Sequence, residues 1–350
     1  LVNLQRPPMP LPKPPGDDAV ALNFTMEAEG FGCVVEIEPA PPGARYSIEP
    51  AISEYLERMA TMTMQPLTAY SKVWNYLPQT MVDIQPSRRV SSPPVGTVLV
   101  PKAEAYAFQC QGIEVEGDDA HGVDVQFPWE EHPQRTHSRT MSVGPFYMHQ
   151  TPVTNAQYAE YLVATGYAPP DASFWLRQWN GSTTPPSPIA AMPVTYVSLN
   201  EARLFCTWAG GRLPHTWEWQ YAAQGTDGRL YPWGSDKTKD GALPTFFQGN
   251  IYPGPEPVGT HSPAGDSPFG LMDMVGNVWQ YTDAFDDDHT RAVILRGGSN
   301  YRPSGSDWYF PNQIELNTHG KYFLFSDSYE RAGTIGFRCV FDASGDVAEV

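Results

Sequence analysis

The sequence predicts an α+β domain that is rich in loops and low in regular secondary structure. The chain has 36 Pro and 30 Gly among 350 residues, which implies many turns and irregular connections. Aromatic residues make up 13% of the chain, and their large rings can cover irregular backbone. Start signals for helices occur in only a few short segments, between stretches of alternating apolar residues. The hydrophobic fraction of 41% is enough for a sizeable core in one large or two medium domains.

The first 94 residues differ in composition from the rest. Residues 1–18 are dense in proline, which favours an extended arm without a core of its own. Residues 19–94 are predicted to form a small α+β accessory domain that ends in a linker. Alternation between Val20 and Glu38 predicts a hairpin there. The spacing of Ile52, Leu56 and Met59 predicts a helix.

The main domain is predicted to span residues 95–344, with a short tail at 345–350. Strands are expected at 96–101, at the alternating residues Tyr106, Phe108 and Cys110, and at Phe146–His149. Three helices follow. The first two begin at the capping boxes Thr154–Gln157 and Ser198–Glu201 and end at Gly166 and Gly210, and the third runs from Pro214 to Gly225.

Six ordered motifs between Cys206 and Cys339 resemble the formylglycine-generating enzyme, or sulfatase-modifying factor, family. They are Cys206-Thr-Trp-Ala-Gly-Gly-Arg-Leu-Pro214, Glu218-Trp-Gln-Tyr-Ala-Ala-Gln-Gly225, Tyr231-Pro-Trp-Gly234, Phe269-Gly-Leu-Met-Asp-Met-Val-Gly-Asn-Val-Trp279, Arg296-Gly-Gly-Ser299 and Gly336-Phe-Arg-Cys339. The resemblance covers roughly residues 97–344 and implies a C-type-lectin-like fold.

The resemblance also points away from the family's best-known reaction. The family's copper-binding cysteine pair follows the Arg-Gly-Gly-Ser motif, and those positions here are Arg302 and Asp307. Neither side chain supplies a thiolate, so a soft copper(I) site is not expected there. Trp279 and Ser299 keep their places in what we interpret as a vestigial pocket. Arg302 and Asp307 are expected to fill it as an ion pair, the alternative being a new polar binding site.

The resemblance further implies a calcium site in the loop 273–280. The family's ligands map to the side chains of Asp273 and Gln280 and to the carbonyl groups of Gly276 and Val278. Oxygen ligands from a tight turn suit calcium. The alternative is a turn held by hydrogen bonds alone.

The four cysteines favour a secreted protein. The family pairs the positions of Cys206 and Cys339, and an even count suggests a second bridge between Cys33 and Cys110, with two buried free thiols as the alternative. The sequons at Asn23 and Asn180 are candidate glycosylation sites. Because the chain begins at Leu1, we expect a processed or truncated product.

The histidines offer one further candidate metal site. His132 and His137 lie near Glu130 and Glu131 in an acidic loop, and we interpret them as surface residues rather than ligands. His215 and Glu218 are one helical turn apart, with His215 expected at the start of the helix.

Net charge and hydropathy limit the kinds of partner that the chain is expected to bind. The net charge of −17 argues against nucleic acid as a partner, because like charges repel. The sequence contains no run of eighteen apolar residues, so no membrane-spanning helix is predicted. We therefore expect an extracellular, non-catalytic module that binds a protein or glycan ligand or assembles through its N-terminal arm, with calcium as its metal. The alternative is a metal-dependent oxidoreductase whose substrate the sequence does not identify.

Overall fold

The computed structural model describes residues 50–63, 77–113, 124–248, 252–302 and 314–344. The chain divides into two compact units, one covering residues 1–75 and the other residues 76–350. In the first unit, the helix α1 spans Pro50–Thr63, where the apolar spacing predicts a helix. The predicted hairpin, the arm and the tail lie outside the described residues.

The second unit contains short strands and few helices. Its strands are β1 (Thr80–Met81), β2 (Thr97–Val100), β3 (Ala103–Gly112), β4 (Thr136–Val143), β5 (Phe146–His149), β6 (Phe247–Gln248), β7 (Trp279–Asp286), β8 (Arg291–Arg296), β9 (Tyr301–Arg302), β10 (Thr318–Leu324), β11 (Ile335–Gly336) and β12 (Val340–Asp342). Its α-helices are α2 (Asn155–Thr165), α3 (Leu199–Trp208), α4 (Thr216–Gln224) and α5 (Asp327–Glu330). This is the mixed, loop-rich α+β fold that the sequence predicts. Across the residues with described structure, no helix has the length and apolar character needed to cross a membrane.

The strands pair in an order that departs from the chain order. The largest sheet runs β1-β7-β8-β10-β3-β4, and β11 adds to β7. Strands β12, β5 and β2 form a second sheet, and β6 pairs with β9. The parallel pairing of β10 with β3 joins residues about two hundred positions apart, at Thr318–Gln111 and His319–Gly112. This pairing is what later brings distant polar residues together.

Residues 77–94, which the sequence predicts as the end of the accessory domain and its linker, pair with residues of the second unit. Thr80 pairs with Asp286, and the backbone NH of Val90 donates to the carbonyl of Asp342 at 2.9 Å. Ser87 also donates its backbone NH to the Asp342 carboxylate at 2.6 Å. Such short extended segments carry too little apolar periodicity to show which sheet they join.

The predicted helix starts agree with the structure at the capping boxes. Thr154 and Ser198 are N-caps whose side-chain oxygens accept from the backbone NH of Gln157 and Glu201, respectively. Gly166 caps α2 in the left-handed conformation, with φ 64°. α3 ends two residues before Gly210, and α4 begins after His215 rather than at Pro214.

One disulfide closes the C-terminal half of the fold. Cys206 in α3 bonds Cys339, which lies just before β12, with the two Cα atoms 5.5 Å apart. This is the pair that the family resemblance implies. Cys110, in contrast, carries a buried free thiol, so its predicted bridge to Cys33 is not formed in this structure. Cys33 itself lies outside the described residues.

Candidate functional site

The Arg296-Gly-Gly-Ser299 motif forms a tight turn at the end of β8. Gly297 has φ +89°, and a Cβ there would collide with the carbonyl of Met274 and come within 3.1 Å of the Trp219 ring. Gly298 has φ +69°. Because only glycine adopts such a conformation without strain, the sequence of the turn fixes its shape.

Buried interactions hold the start of this turn. Arg296 is fully buried, and its guanidinium lies 5.0 Å from the centre of the Trp219 ring. It donates to Gln220 Oε1 at 2.8 Å and to Cys110 Sγ at 2.7 Å. A buried guanidinium needs such partners, so the turn is anchored to α4 and β3.

Of the residues in the predicted vestigial pocket, Trp279, Ser299 and Arg302 lie within the described ranges. Ser299 is buried, and its Oγ accepts from the backbone NH of Tyr301 at 3.4 Å. The described residues contain two clusters of buried hydrophobic side chains, one around Trp219 and Phe285 and one around Tyr281 and Ile335, and Trp279 is partly buried against the second. The backbone of Arg302 pairs with Gln248, but Asp307 lies outside the described residues, so their ion pair stays a prediction.

A groove with a volume of about 490 Å³ lies beside this turn. Its link to the turn is Tyr252, whose hydroxyl donates to Asn300 Oδ1 at 2.7 Å and whose ring lies 5.2 Å from that of Tyr301. The remaining lining comes from Asn155, from residues 177–178 and 253–255, from five residues between Ile189 and Tyr196, and from Gly333, whereas no residue of the turn lines the groove. Arg177 is the charged residue among them, in a chain whose net charge is −17.

Asn155, at the start of α2, fixes one wall of the groove. Its Nδ2 donates to the carbonyl groups of Ile189, Met192 and Pro193 at 3.0 to 3.2 Å. Its Oδ1 accepts from Trp179 Nε1 at 2.7 Å and from the side chain of Gln178. Since every polar atom of this amide is satisfied, it holds two irregular segments in one arrangement.

Strained backbone is concentrated in the same wall. Leu176 and Tyr196 have φ values of 45° and 55°, in a region where non-glycine residues are uncommon. They are hydrogen-bonded to each other through Leu176 NH and Tyr196 O at 3.1 Å. Backbone strain of this kind costs about 1–3 kcal/mol and is often found at ligand sites. The sequon residue Asn180 is exposed close by in sequence, while Asn23 lies outside the described residues.

The loop predicted to bind calcium is held by protein hydrogen bonds. Gln280 is fully buried, and its Nε2 donates to the carbonyl groups of Asp273 and Met274 at 3.0 and 3.3 Å. Its Oε1 accepts from Trp219 Nε1 at 2.9 Å and from Arg338 Nε at 2.7 Å.

These contacts bear on whether calcium fits. Asp273 Oδ2 accepts from the backbone NH of Gly259 at 2.6 Å, and burial raises the pKa of its carboxyl group. The Arg338 guanidinium donates to the carbonyl group of Asp273 at 2.9 Å. The polar atoms of the Gln280 side chain are already hydrogen-bonded to protein groups, and the Arg338 guanidinium lies beside the loop. The predicted ligand set therefore does not fit calcium in this arrangement. The backbone oxygens of Gly276 and Val278 remain as predicted ligands only.

A second group of polar side chains is buried between β3, β4 and β10. It consists of Asp124, His137 and His319, whose possible ligand atoms all lie within 4.8 Å of one another. His319 Nε2 hydrogen-bonds the Asp124 carboxylate, and His137 Nε2 lies 3.6 Å from Asp124 Oδ2. His137 is a strand residue with no exposed surface, so its interpretation as a surface-loop histidine is wrong. His132, in contrast, is exposed.

Cys110, whose thiol is free and buried, lies beside this group. Its Sγ lies 3.2 Å from His319 Nδ1 and accepts from Arg296. Burial raises the pKa of Cys110, but Arg296 and His319 outweigh burial and lower it to about 7. Burial lowers the pKa of His319, and the Asp124 carboxylate and Cys110 more than offset this and raise it to about 9.

Sequence reasoning missed Asp124 and His319 as members of a site. The available signal was a histidine at an inward-facing strand position, since His137 and His319 each lie on the buried side of their strands. His215 was placed correctly at the start of α4, where its backbone NH donates to Glu218 Oε2 at 2.8 Å.

Comparison with known proteins agrees with this architecture. The chain matches the sulfatase-modifying factor enzyme 1-like domain over residues 86–343. It is 31% identical to the formylglycine-generating enzyme of Mycobacterium tuberculosis over 297 residues, covering 60% of this chain and 92% of that protein. It is 35% identical to the inactive Cα-formylglycine-generating enzyme 2 of Bos taurus over 155 residues, covering 38% of this chain and 46% of that protein.

Among solved structures, PvdO from Pseudomonas aeruginosa aligns with 20% identity and a TM-score of 0.44, covering 69% of this chain and 93% of that one. The family match spans well over half of the sequence, and its motifs include the Arg296-Gly-Gly-Ser299 turn and both cysteines of the disulfide. The chain therefore belongs to the sulfatase-modifying factor enzyme 1-like domain family.

Proposed function

We propose that this chain is a non-catalytic, extracellular member of its family that binds an extended peptide segment in the groove beside the Ser299 turn. One observation carries the proposal. The turn itself is retained, yet no cysteine occurs anywhere between Gly297 and Arg338 in the sequence. The positions that would supply the family's thiolates hold Arg302 and Asp307.

These residues do not fit copper(I). A guanidinium is a permanent cation without a lone pair to offer, and a carboxylate is a hard ligand. The remaining described thiol, Cys110, is buried against Arg296 and His319. Copper-dependent oxidation of a peptide cysteine at this turn is therefore not part of the proposed function.

The groove offers the features that peptide binding requires. Its walls are fixed by Asn155 and by the strained pair Leu176 and Tyr196, so little ordering is needed when a ligand binds. Tyr196 and Tyr252 present rings with polar tips, which suit both apolar and hydrogen-bonding groups. The guanidinium of Arg177, which lies 5.7 Å from the Phe174 ring, can pair with an acidic side chain.

The proposed location rests on the disulfide and on one sequon. A buried Cys206–Cys339 bond is typical of proteins that mature in an oxidising compartment. Asn180 is exposed at a turn, where a glycan can be attached without disturbing the core.

Two assays on the purified protein test the proposal. In the first, a cysteine-containing sulfatase peptide is incubated with the protein and copper, and aldehyde formation is followed by mass spectrometry. We expect no aldehyde, and conversion of the peptide would overturn the proposal.

The second assay selects ligands from a displayed library of linear peptides. We expect selected peptides to bind the Tyr252→Ala variant about tenfold or more weakly than the wild type, since one aromatic contact contributes roughly 1–3 kcal/mol. Val163→Ala, at an exposed position of α2, is the matched control and should bind normally. If no peptide is enriched, or if Tyr252→Ala binds as tightly as the wild type, the groove is not the binding site.

The alternative function is a metal-dependent oxidoreductase, and the group Asp124, His137 and His319 is the observation in its favour. Two histidines and a carboxylate are a ligand set of non-haem iron oxygenases. Against it, both histidines have no exposed surface through which a substrate could approach. Oxygen consumption by iron-loaded protein in the presence of a thiol substrate would favour this alternative over the binding module.

A further inference from the structure

We propose that Asp124, His137 and His319 form a buried site for one divalent transition-metal ion, with zinc as the best match to the donor set. The site lies between β3, β4 and β10, away from the family's cysteine positions and from the loop 273–280. It does not depend on the proposed binding function. Two imidazoles and a carboxylate are favoured by zinc and neighbouring first-row ions, whereas calcium and magnesium prefer oxygen ligands alone.

The unpartnered nitrogen of His137 is the strongest indication of a missing cation. His137 Nδ1 lies 2.8 Å from Glu130 Oε1, so Nδ1 carries the proton and donates it to that carboxylate. Nε2 is completely buried, has no hydrogen-bond partner and lies 3.6 Å from Asp124 Oδ2. The carboxylates of Glu130 and Asp124 lie on either side of the ring, so positive charge is favoured between Nε2 and Oδ2. A proton on Nε2 supplies that charge in the metal-free protein, and a divalent ion bound to both atoms would replace the proton.

The separation of the two ligand atoms suits a metal ion. Zinc–ligand bonds of about 2.0–2.1 Å in a tetrahedron place neighbouring ligand atoms roughly 3.3 Å apart. The 3.6 Å between His137 Nε2 and Asp124 Oδ2 is close to this spacing. His319 Nε2 is hydrogen-bonded to the same carboxylate oxygen and must move away from it by about an ångström when the ion enters.

Each predicted ligand is held from behind by a second residue. Glu130 orients His137, and its other oxygen accepts from the backbone NH of Phe127 at 2.8 Å. Cys110 Sγ lies 3.2 Å from His319 Nδ1, which leaves the Nε2 of His319 directed at the carboxylate. Metal-bound histidines typically have such partners on the opposite nitrogen.

The backbone is adapted to bring Asp124 close. A Cβ at Gly112 would collide with the Asp124 carboxylate, so a glycine is required where β3 passes the site. Lys321 Nζ also donates to the backbone carbonyl of Asp124 at 2.8 Å. The Phe127 ring packs edge-on against His137 with ring centres 4.7 Å apart. The site is thus enclosed, which favours a structural ion that ties β4, β10 and the segment at Asp124 together over an exchangeable catalytic one.

The experiment measures metal content and stability on the full chain. Protein purified without chelator is analysed by plasma mass spectrometry, then stripped and reloaded with zinc or cobalt(II). We expect about one equivalent of bound metal and a rise in Tm of about 5 °C on reloading with zinc. Cobalt-loaded protein should show the visible absorption of a low-symmetry site with nitrogen and oxygen ligands.

Conservative variants identify the ligands. Asp124→Asn and His137→Gln should each lose the bound metal and the Tm response, while His289→Gln, in an exposed turn, should keep both. Because a ligand variant could fail to fold, Glu130→Gln provides a second test. It removes only the orienting carboxylate and should weaken zinc binding about 10–100-fold in a folded protein.

The possible results separate clearly. A folded wild type that takes up no stoichiometric zinc, cobalt, iron or manganese at neutral pH would overturn the proposal. Metal retained by both Asp124→Asn and His137→Gln would also overturn it, because the ion would then lie elsewhere. Stoichiometric iron instead of zinc would keep the site and change only its metal.

Discussion

At the scale of single residues, Gln280 shows how one substitution changes the character of a family loop. The family resemblance places an acidic side chain at this position and an amide at position 273, whereas here Asp273 and Gln280 have exchanged the two groups. The carboxamide of Gln280 makes two donated and two accepted hydrogen bonds with its surroundings. A carboxylate cannot donate to the carbonyl groups of residues 273 and 274, so only the amide satisfies the loop without a cation.

We therefore expect calcium to leave the wild type unaffected and to stabilise Gln280→Glu. In this variant, the two carboxylate oxygens would face the carbonyl oxygens of residues 273 and 274. The free energy of unfolding without calcium should therefore fall by about 2–4 kcal/mol. Thermal melts in millimolar calcium or in chelator measure both effects. A calcium-dependent rise in the Tm of the wild type would show instead that Gln280 rearranges and that the predicted calcium site forms.

His215 is a residue whose charge should make stability depend on pH. Its Nδ1 lies 2.7 Å from Asp283 Oδ1, and its ring stacks on Trp217 with centres 4.4 Å apart. Burial lowers the pKa of His215, but the Asp283 carboxylate outweighs burial, so the pKa is raised above its ordinary 6.5. The protonated form is thus favoured in the folded state. Its stabilisation is complete below about pH 6.5 and is lost as the pH rises through the folded-state pKa.

Replacing His215 by Gln should remove this dependence. We expect the variant to be less stable than the wild type by about 1–3 kcal/mol at pH 6, and the gap to narrow at pH 9. Urea unfolding at both pH values measures the difference, with exposed His289→Gln as the control. A gap that is the same at pH 6 and pH 9 would mean that His215 is neutral in the folded protein.

At the scale of elements, the sequence predicts best where the signal is local. Thr154 and Ser198 mark the helix starts correctly, because a capping box involves residues only three positions apart. The alternation of Tyr106, Phe108 and Cys110 gives the buried face of β3, since side chains on a strand alternate between its two faces. No local pattern shows where residues 77–94 pair, because Thr80 and Val90 have partners more than two hundred positions away, at Asp286 and Ala343.

The start of α3 depends on one buried ion pair. Glu201 has no exposed surface, and its carboxylate accepts from Arg331 Nη2 at 2.6 Å and Nε at 3.1 Å. Arg331 also donates to the carbonyl groups of Asp171 and Ser173, both at 2.7 Å. The pair therefore links the helix start to the loop near position 172.

Removing one partner of this ion pair should destabilise the protein more than removing both. Arg331→Met leaves the Glu201 charge buried without a partner, and we expect a loss of about 3–5 kcal/mol. The double variant Glu201→Gln with Arg331→Met should recover part of that loss, because no charge is then buried. Guanidinium unfolding of the four proteins in the cycle gives the coupling. Equal losses in the single and the double variant would show that Arg331 acts through its contacts with the 171–173 loop instead.

At the scale of the whole molecule, the strand order creates what the sequence could not predict. Asp124 and His319 are 195 positions apart, and they meet only because β10 pairs in parallel with β3. The sequence analysis groups His137 with Glu130, which it contacts at 2.8 Å, but no local pattern shows its other partners, Asp124 and His319. The tight turn after Arg296 was found because a family motif of four consecutive residues carries it.

The division into two units predicts that residues 76–350 fold by themselves. This unit contains the three sheets, the Cys206–Cys339 disulfide and both hydrophobic clusters. We expect a variant that lacks residues 1–75 to melt cooperatively, with Tm within about 3 °C of the full chain, since a domain with its own core can fold alone.

Removing only residues 1–15 tests the proline-rich arm separately. Its apolar residues between prolines predict that it lies along a surface of the main unit or of a second copy. This deletion should then lower Tm by no more than about 3 °C or shift the oligomer distribution in sedimentation, and the Tm loss from deleting 1–75 should be no smaller. If both deletions leave Tm and the oligomeric state unchanged, the arm makes no stabilising contact with the main unit. If the shorter deletion is harmless while the longer one causes aggregation, residues 16–75 protect a surface of the main unit, and the two units do not fold independently.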